Sequence, residues 1–371
     1  MRAIIREGPR WDRLLEAASH HGMEPMVYDR LAPARDAVPP RVLGRLQRAF
    51  ERNGLRNLER YARLRVLVAS LHAQGIRVAA LKGAALAALV YRNPGLRPMI
   101  DVDLLVPRES LARAEDVVRA LDYRELETPH DRDWYLARHH HARPYGAADG
   151  ALTVELHHHL LSGEARRWLP IDELWERTVS TRIGPIEVDV LCPTDTVLHV
   201  AVHLAHTNRF MSELRAVRDL AECVDRHGAA IDWDALVERA GRYRLTRAVR
   251  LALWAAHEIG GAPIPASVLG PRRRPPLDAL GHALVRRALQ DDEVSPVISP
   301  WMIRESLAAL TSEEPMPRVV GALARVAART YGESVREAGP SSPLPRWLYA
   351  TLVHPVWLVG RALARLVGAR Q

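Results

Sequence analysis

Cysteine is nearly absent. The 371-residue chain carries two, Cys192 and Cys223, and no Cys-x-x-Cys. That excludes a disulfide scaffold and a zinc ribbon, and it fits a reducing, cytoplasmic setting. No stretch is long and apolar enough to span a bilayer. The opening residues, Met-Arg-Ala-Ile-Ile-Arg-Glu-Gly-Pro, lack the apolar core of a secretory signal. Aromatic residues make up 5% of the chain and do not interleave with basic ones as on a single-strand nucleic-acid face. The P-loop, the Gly-x-Gly-x-x-Gly turn and the Gly-x-Ser-x-Gly nucleophile elbow are all missing. No internal repeat or low-complexity tract stands out.

What is there reads as globular: 48% hydrophobic and 26% charged residues, enough chain for two or three packed domains. The formal net charge is +8, and nearly all the cations are arginine. The sequence leaves open whether this balance serves phosphate-bearing partners or follows from a genomic bias toward Arg and Ala.

Periodicity divides the chain into an N-terminal helical cap (1–72), an α/β core (73–190), a helical domain (191–270) and a basic linker with C-terminal helices (271–371). In the cap, Trp11, Leu14, Leu15 and Ala18 are helix-spaced. After Pro39-Pro40 a long helix is predicted over Arg41 to His72, with Leu43, Leu46, Phe50, Leu55, Leu58, Leu64, Leu67 and Leu71 recurring. The core opens with an apolar run, Ile76 to Leu81, which ends at Lys82-Gly83. A small-residue helix, Ala84 to Tyr91, follows, then a Pro/Gly-bearing loop, then a second apolar run from Met99 to Val106.

That second run carries Asp101 and Asp103. Carboxylates are depleted in strands and costly to bury unpaired. Alternation puts both on one face of a strand, with Val102 on the other. A divalent cation with a taste for oxygen ligands is the cheapest way to hold two such charges together. At the Lys82-Gly83 corner, glycine permits close backbone approach and a helix start offers free N–H groups to an anion. A cation position beside a phosphate cradle points to a nucleotide–metal complex.

Leu81-Lys82-Gly83-Ala84-Ala85-Leu86, then Tyr91, Arg97-Pro98 and Asp101-Val102-Asp103-Leu104-Leu105-Val106, resemble the uncharacterised bacterial nucleotidyltransferases of the polymerase-beta-like superfamily. The resemblance implies an α+β fold, with a small mixed-sheet nucleotidyltransferase core flanked by N- and C-terminal helical regions. It implies Mg²⁺ or Mn²⁺ held by Asp101, Asp103 and a third acid. It also implies a nucleoside triphosphate as substrate, bound by Lys82, Gly83 and Ala84 with Arg97. The superfamily usually shows Gly-Ser after its first strand. Here Ala84 stands in the serine's place, so a phosphate-binding hydroxyl is missing.

The best match for the third acid is Glu155, on the second strand of a hairpin predicted over residues 143–156. Thr153, Glu155 and His157 share one face and Val154 and Leu156 the other. Glu155 completes the metal site or deprotonates the acceptor; the alternative is a solvent-facing acid on an edge strand. His157 is the histidine expected to contact nucleotide or acceptor. Zinc is not expected at His139-His140-His141 or His157-His158-His159, because adjacent side chains diverge. His199, His203 and His206 fall on one face of a predicted helix, Asp195 to His206, either as ligands or as buried packing residues.

The leading expectation is a magnesium-dependent nucleotidyltransferase, acting by in-line attack with two metals on an unknown small-molecule, peptide or saccharide acceptor and releasing pyrophosphate. A non-catalytic nucleotide-binding scaffold and a phosphotransferase on the same fold are the alternatives. Nucleic acid is not the expected partner. Trp347 to Leu366 is apolar and aromatic and could lie on a membrane surface, but His354-Pro355 interrupts it, which favours packing on protein.

Overall fold

The computed structural model describes residue 5 and residues 8–211, 214–270, 276–290 and 300–338. The basic linker around Arg272-Arg273-Arg274 and the segment Trp347 to Leu366 lie outside the described residues. Among the described residues no helix is long and apolar enough to cross a membrane.

Two compact units are present, Met1–Val200 with Glu222–Leu236 and Ala201–Ala221 with Val237–Gln371. The first begins with helices α1 (Trp11–His20), α2 (Glu24–Leu31) and the 34-residue α3 (Pro40–Ala73). Leu15, Leu31, Val42 and Leu46 close a small core between them. The buried stripe of α3 differs from the leucine pattern of the sequence. It runs Leu46, Asn53, Asn57, Leu64, Leu67 and Leu71, while Leu55 and Leu58 are 69% and 64% exposed. Asparagine is tolerated in this stripe because it hydrogen-bonds backbone: Asn53 donates to Gly95 O at 2.7 Å, and Asn57 to Pro94 O at 2.7 Å and Arg97 O at 2.8 Å.

Strand β1 (Ala79–Ala80) leads into α4 (Lys82–Leu89). Then come β2 (Asp101–Leu105), α5 (Leu111–Ala120), β3 (Tyr123–Glu125), α6 (Arg132–Arg138), β4 (Tyr145–Ala147), β5 (Thr153–His157), α7 (Ile171–Glu176), β6 (Thr178–Ile183) and β7 (Ile186–Leu191). They form one seven-stranded sheet in the order β3-β4-β5-β2-β1-β7-β6. It is mixed: β2 runs parallel to β5 and β1 to β7, and the other neighbours are antiparallel. The expected α+β architecture with a mixed sheet and flanking helices is the one observed. One face, with Val102, Leu104, Val154 and Leu156, packs with Leu64, Leu67 and Leu71 of α3 into the main core. Helix α8 (Pro193–Val202) follows. Thr194 lies inside it, and its hydroxyl accepts from Asp232 N at 2.9 Å. The helix expected to reach His206 is α-helical only to Val202 and continues as a π-turn over His203–Thr207.

Helix α9 (Leu214–His227) and α10 (Trp233–Arg242) come next. The second unit is mainly α11 (Thr246–Glu258), the short α12 (Ala266–Leu269), α13 (Pro276–Gln290), α14 (Pro300–Thr311) and α15 (Met316–Ala338). In it Trp254 stacks on His282 at 3.8 Å, and Arg247 Nη1 donates to Ser312 O at 2.7 Å.

Candidate active site

β2 and β5 are paired in register, Asp103 opposite Glu155 and Leu105 opposite His157. Alternation that sends the aliphatic residues of both strands into the core sends Asp101, Asp103, Glu155 and His157 to the other face. Asp103 is 1% exposed. Its Oδ1 lies 2.9 Å from Lys82 Nζ and 2.8 Å from His157 Nε2. Glu155 Oε2 is 3.4 Å from His157 Nε2 and 3.4 Å from His141 Nε2. One ligand atom each from Asp103, Glu155 and His157 lies within 4.8 Å of the others.

The electrostatics follow from this crowding. Burial opposes the charge of Asp103, but Lys82 and the His157 hydrogen bond outweigh it and hold the carboxyl well below its ordinary value. Burial likewise opposes charge on Lys82 and His157, and the acids around them raise both. Asp101 is partly exposed. Burial and the charges of Asp103 and Glu155 push it up to about 6, and Lys82 and Arg97 pull its carboxyl down only in part. His157 Nδ1 is buried with no hydrogen-bond partner among the described residues.

Lys82 stands at the first turn of α4 with φ +32, a left-handed backbone that lysine rarely adopts. It is the only lysine in a chain with 52 basic residues. Gly83 follows for a spatial reason: a Cβ there would sit 2.8 Å from Arg97 Nη1. Arg97 is buried, donates to Pro98 O at 3.0 Å, and helps to lower Asp101. Ala84 packs its methyl into the main core, and its carbonyl accepts from Tyr61 Oη at 2.9 Å. Asn57 and Tyr61 of α3 thus fix the two backbone segments that bear Arg97 and Ala84. Arg60, one residue away, feels the charge of Asp101.

The two histidine triplets behave differently. His157-His158-His159 ends a strand and diverges as expected. His158 Nδ1 accepts from Arg108 at 3.1 Å. His159 donates to Leu169 O at 3.0 Å and accepts from Leu161 N at 3.0 Å. His139-His140-His141 lies in the loop after α6, where no strand alternation applies. Its three rings cluster, His139 stacked on His140 at 4.4 Å, with one ligand atom from each within 4.8 Å of the others. The divergence rule fails there. Among the described residues no such group includes His199, His203 or His206. His199 instead lines a cavity of about 40 Å³ with Lys82 and His227, room for water but not for a nucleotide.

Sequence reasoning brought forward Asp101, Asp103, Glu155, Lys82, Gly83, Arg97 and His157, and the structure gathers all of them about one corner. It set His141 aside with its triplet and did not bring forward Arg60, Asn57 or Tyr61. Asn53 and Asn57, spaced four apart between apolar positions of α3, were the readable signal for the last group.

A family model described as an uncharacterised nucleotidyltransferase matches residues 7–261. A crystal structure of an antigenic nucleotidyltransferase-like protein from Paracoccidioides brasiliensis is similar over 55% of this chain and 88% of that one, at 16% identity and a TM-score of 0.34. That likeness is too loose to bear on the site. No functionally curated protein matches the chain.

Proposed function

The chain belongs to the uncharacterised nucleotidyltransferase family, and from that premise we propose that it moves a nucleotidyl group from a nucleoside triphosphate to a hydroxyl or phosphate acceptor. The observation that carries the reading is the pairing of Asp103 with Glu155 on parallel strands, with the chain's one lysine 2.9 Å from Asp103. An acid pair in register, Asp103 buried and Glu155 partly so, beside a cationic, glycine-bearing helix start is a costly arrangement for a purely structural sheet face.

The donor set fits magnesium or manganese: Asp101, Asp103 and Glu155 offer the hard oxygens these ions prefer. Bound there with the triphosphate, such ions would neutralise charge on the entering and leaving oxygens. The protein's own groups do the rest. Lys82, Arg97 and the first N–H groups of α4 hold phosphate oxygens. Lys82 is shared, so as the ammonium turns to phosphate, His157 keeps Asp103 charged. The acceptor oxygen attacks the α-phosphorus in line, its proton passes to Glu155, and the bond to the β-phosphate breaks to release pyrophosphate. No covalent enzyme intermediate is needed, consistent with the missing nucleophile motifs.

A second reading, a nucleotide-binding scaffold without turnover, is favoured by Ala84, whose methyl is buried where the superfamily's phosphate-binding serine is expected. Labelled nucleoside triphosphates with Mg²⁺ and candidate acceptors separate the two. Transfer predicts pyrophosphate release that disappears in Asp101→Ala/Asp103→Ala. Undiminished release in that variant sinks the site. Calorimetric binding with no turnover selects the scaffold, and nucleoside diphosphate as product selects a phosphotransferase.

A further inference from the structure

The loop after α6 holds three imidazoles that the proposed transfer does not use. The ring centroids of His139, His140 and His141 are 4.1 to 4.9 Å apart. His140 and His141 are both 6% exposed. His141 Nδ1 lies 2.6 Å from the carbonyl of Ala142. A carbonyl only accepts, so Nδ1 carries a proton, and in the neutral ring Nε2 keeps its lone pair. His140 Nδ1 is hydrogen-bonded to the Ser162 hydroxyl. Engagement of the far ring nitrogen by a carbonyl or hydroxyl is how proteins orient metal-bound imidazole. His139 Nδ1 is buried with no hydrogen-bond partner among the described residues.

The direction of His141 is the telling feature. Its Nε2 lies 3.4 Å from Glu155 Oε2, acceptor beside acceptor in the neutral ring. Two acceptors that face each other repel, and a cation between them turns repulsion into attraction. The spacing suits one: ligands about 2.0–2.1 Å from a zinc-sized ion, at a tetrahedral angle, are about 3.4 Å apart.

We propose that His139, His140 and His141 form a binding site for one divalent transition ion of the zinc class. Imidazole nitrogen selects Zn²⁺, Co²⁺ or Ni²⁺ over Mg²⁺, so this position is chemically distinct from the oxygen-lined one at Asp101 and Asp103. The two adjoin at Glu155, whose Oε2 lies 3.4 Å from His141 Nε2. An ion held by the histidines draws charge from Glu155 and so couples its own occupancy to the acidic cluster. The site does not depend on nucleotidyl transfer and would exist in a protein that only binds nucleotide.

The test uses the untagged full chain, stripped with chelator and dialysed, then titrated with Co²⁺ followed by visible absorption and with Zn²⁺ followed by calorimetry. The expected result is one saturable ion, with the intense bands of tetrahedral Co²⁺, that survives excess Mg²⁺ and survives Asp101→Asn. His139→Ala, at a half-buried loop position, should weaken binding by about 100-fold. Ser162→Ala, which removes only the orienting partner of His140, should weaken it by about tenfold. Circular dichroism checks that both variants fold. Absence of saturable binding to the intact chain overturns the proposal. Unchanged affinity in both variants, or loss in Asp101→Asn alone, also overturns it, the latter by placing the ion at the carboxylates.

Discussion

Asp103 is almost wholly enclosed and still ionised, because two cations reach the same oxygen from different elements. Lys82 comes from a helix start and His157 from the neighbouring strand. An ammonium does this as a compact point charge, whereas a guanidinium is a broad, planar fork. Lys82→Arg is therefore expected to lower nucleotide turnover on the order of 100-fold while leaving the fold intact. Steady-state kinetics and a circular dichroism spectrum on the same sample check both halves. The backbone at this residue gives a second expectation. Lys82→Ala and Lys82→Gly both remove the ammonium, but alanine keeps the left-handed strain and glycine does not. The glycine variant should be the more stable by about 1 kcal/mol in urea unfolding. The carboxylates were legible in the sequence, since strand alternation alone puts Asp101, Asp103, Glu155 and His157 on two polar faces. His141 was not, because a loop residue belongs to no period, and only the fold brings its ring to Glu155.

Helix α3 works as a clamp. Its Asn57 amide holds two carbonyls of the loop that carries Arg97, and removing it leaves the buried one, of Arg97, without this donor. Asn57→Ala is expected to cost about 2 kcal/mol in unfolding free energy and to weaken nucleotide binding by displacing Arg97. Denaturant unfolding and calorimetry read the two effects separately, and a stable variant with intact binding would remove α3 from the site. The length of this helix was plain from its leucines, yet its buried stripe was not, since hydrogen-bonded asparagines stand where apolar residues were expected. Helix α6 went unforeseen. It spans seven residues, too few for a periodic signal, although Asp131 caps it by accepting from Trp134 N at 2.8 Å. The strand expected from Ile76 to Leu81 pairs only at Ala79 and Ala80, because the chain must turn at once into α4.

Across the whole molecule, buried histidine sets the response to acid. Burial, first among the causes, lowers His158 to about 3, His159 to about 4 and His199 to about 3. In the unfolded chain each would take up a proton near its ordinary value of about 6.5. Below that pH the unfolded state binds more protons than the folded one, so stability falls as pH drops from about 6.5 toward 3. Melting temperatures recorded from pH 8 to 4 should fall most steeply below pH 6.5, and a flat profile there would mean that these rings protonate within the fold. The α+β class and the mixed sheet were legible at this scale, since strand patterns lay between helical ones. The division into two units was not, because residues 222–236 group with the first unit across intervening chain, and no local pattern records that.

The left-handed corner at Lys82 sets two kinds of selection against each other. A library screened only for heat resistance would drift toward glycine or asparagine at this position, trading the amine for a relaxed backbone. One screened for ligand capture would keep lysine and accept a lower melting point. Sequencing the survivors of the two screens would reveal, without any assay of chemistry, whether this corner is kept for reach or for rest.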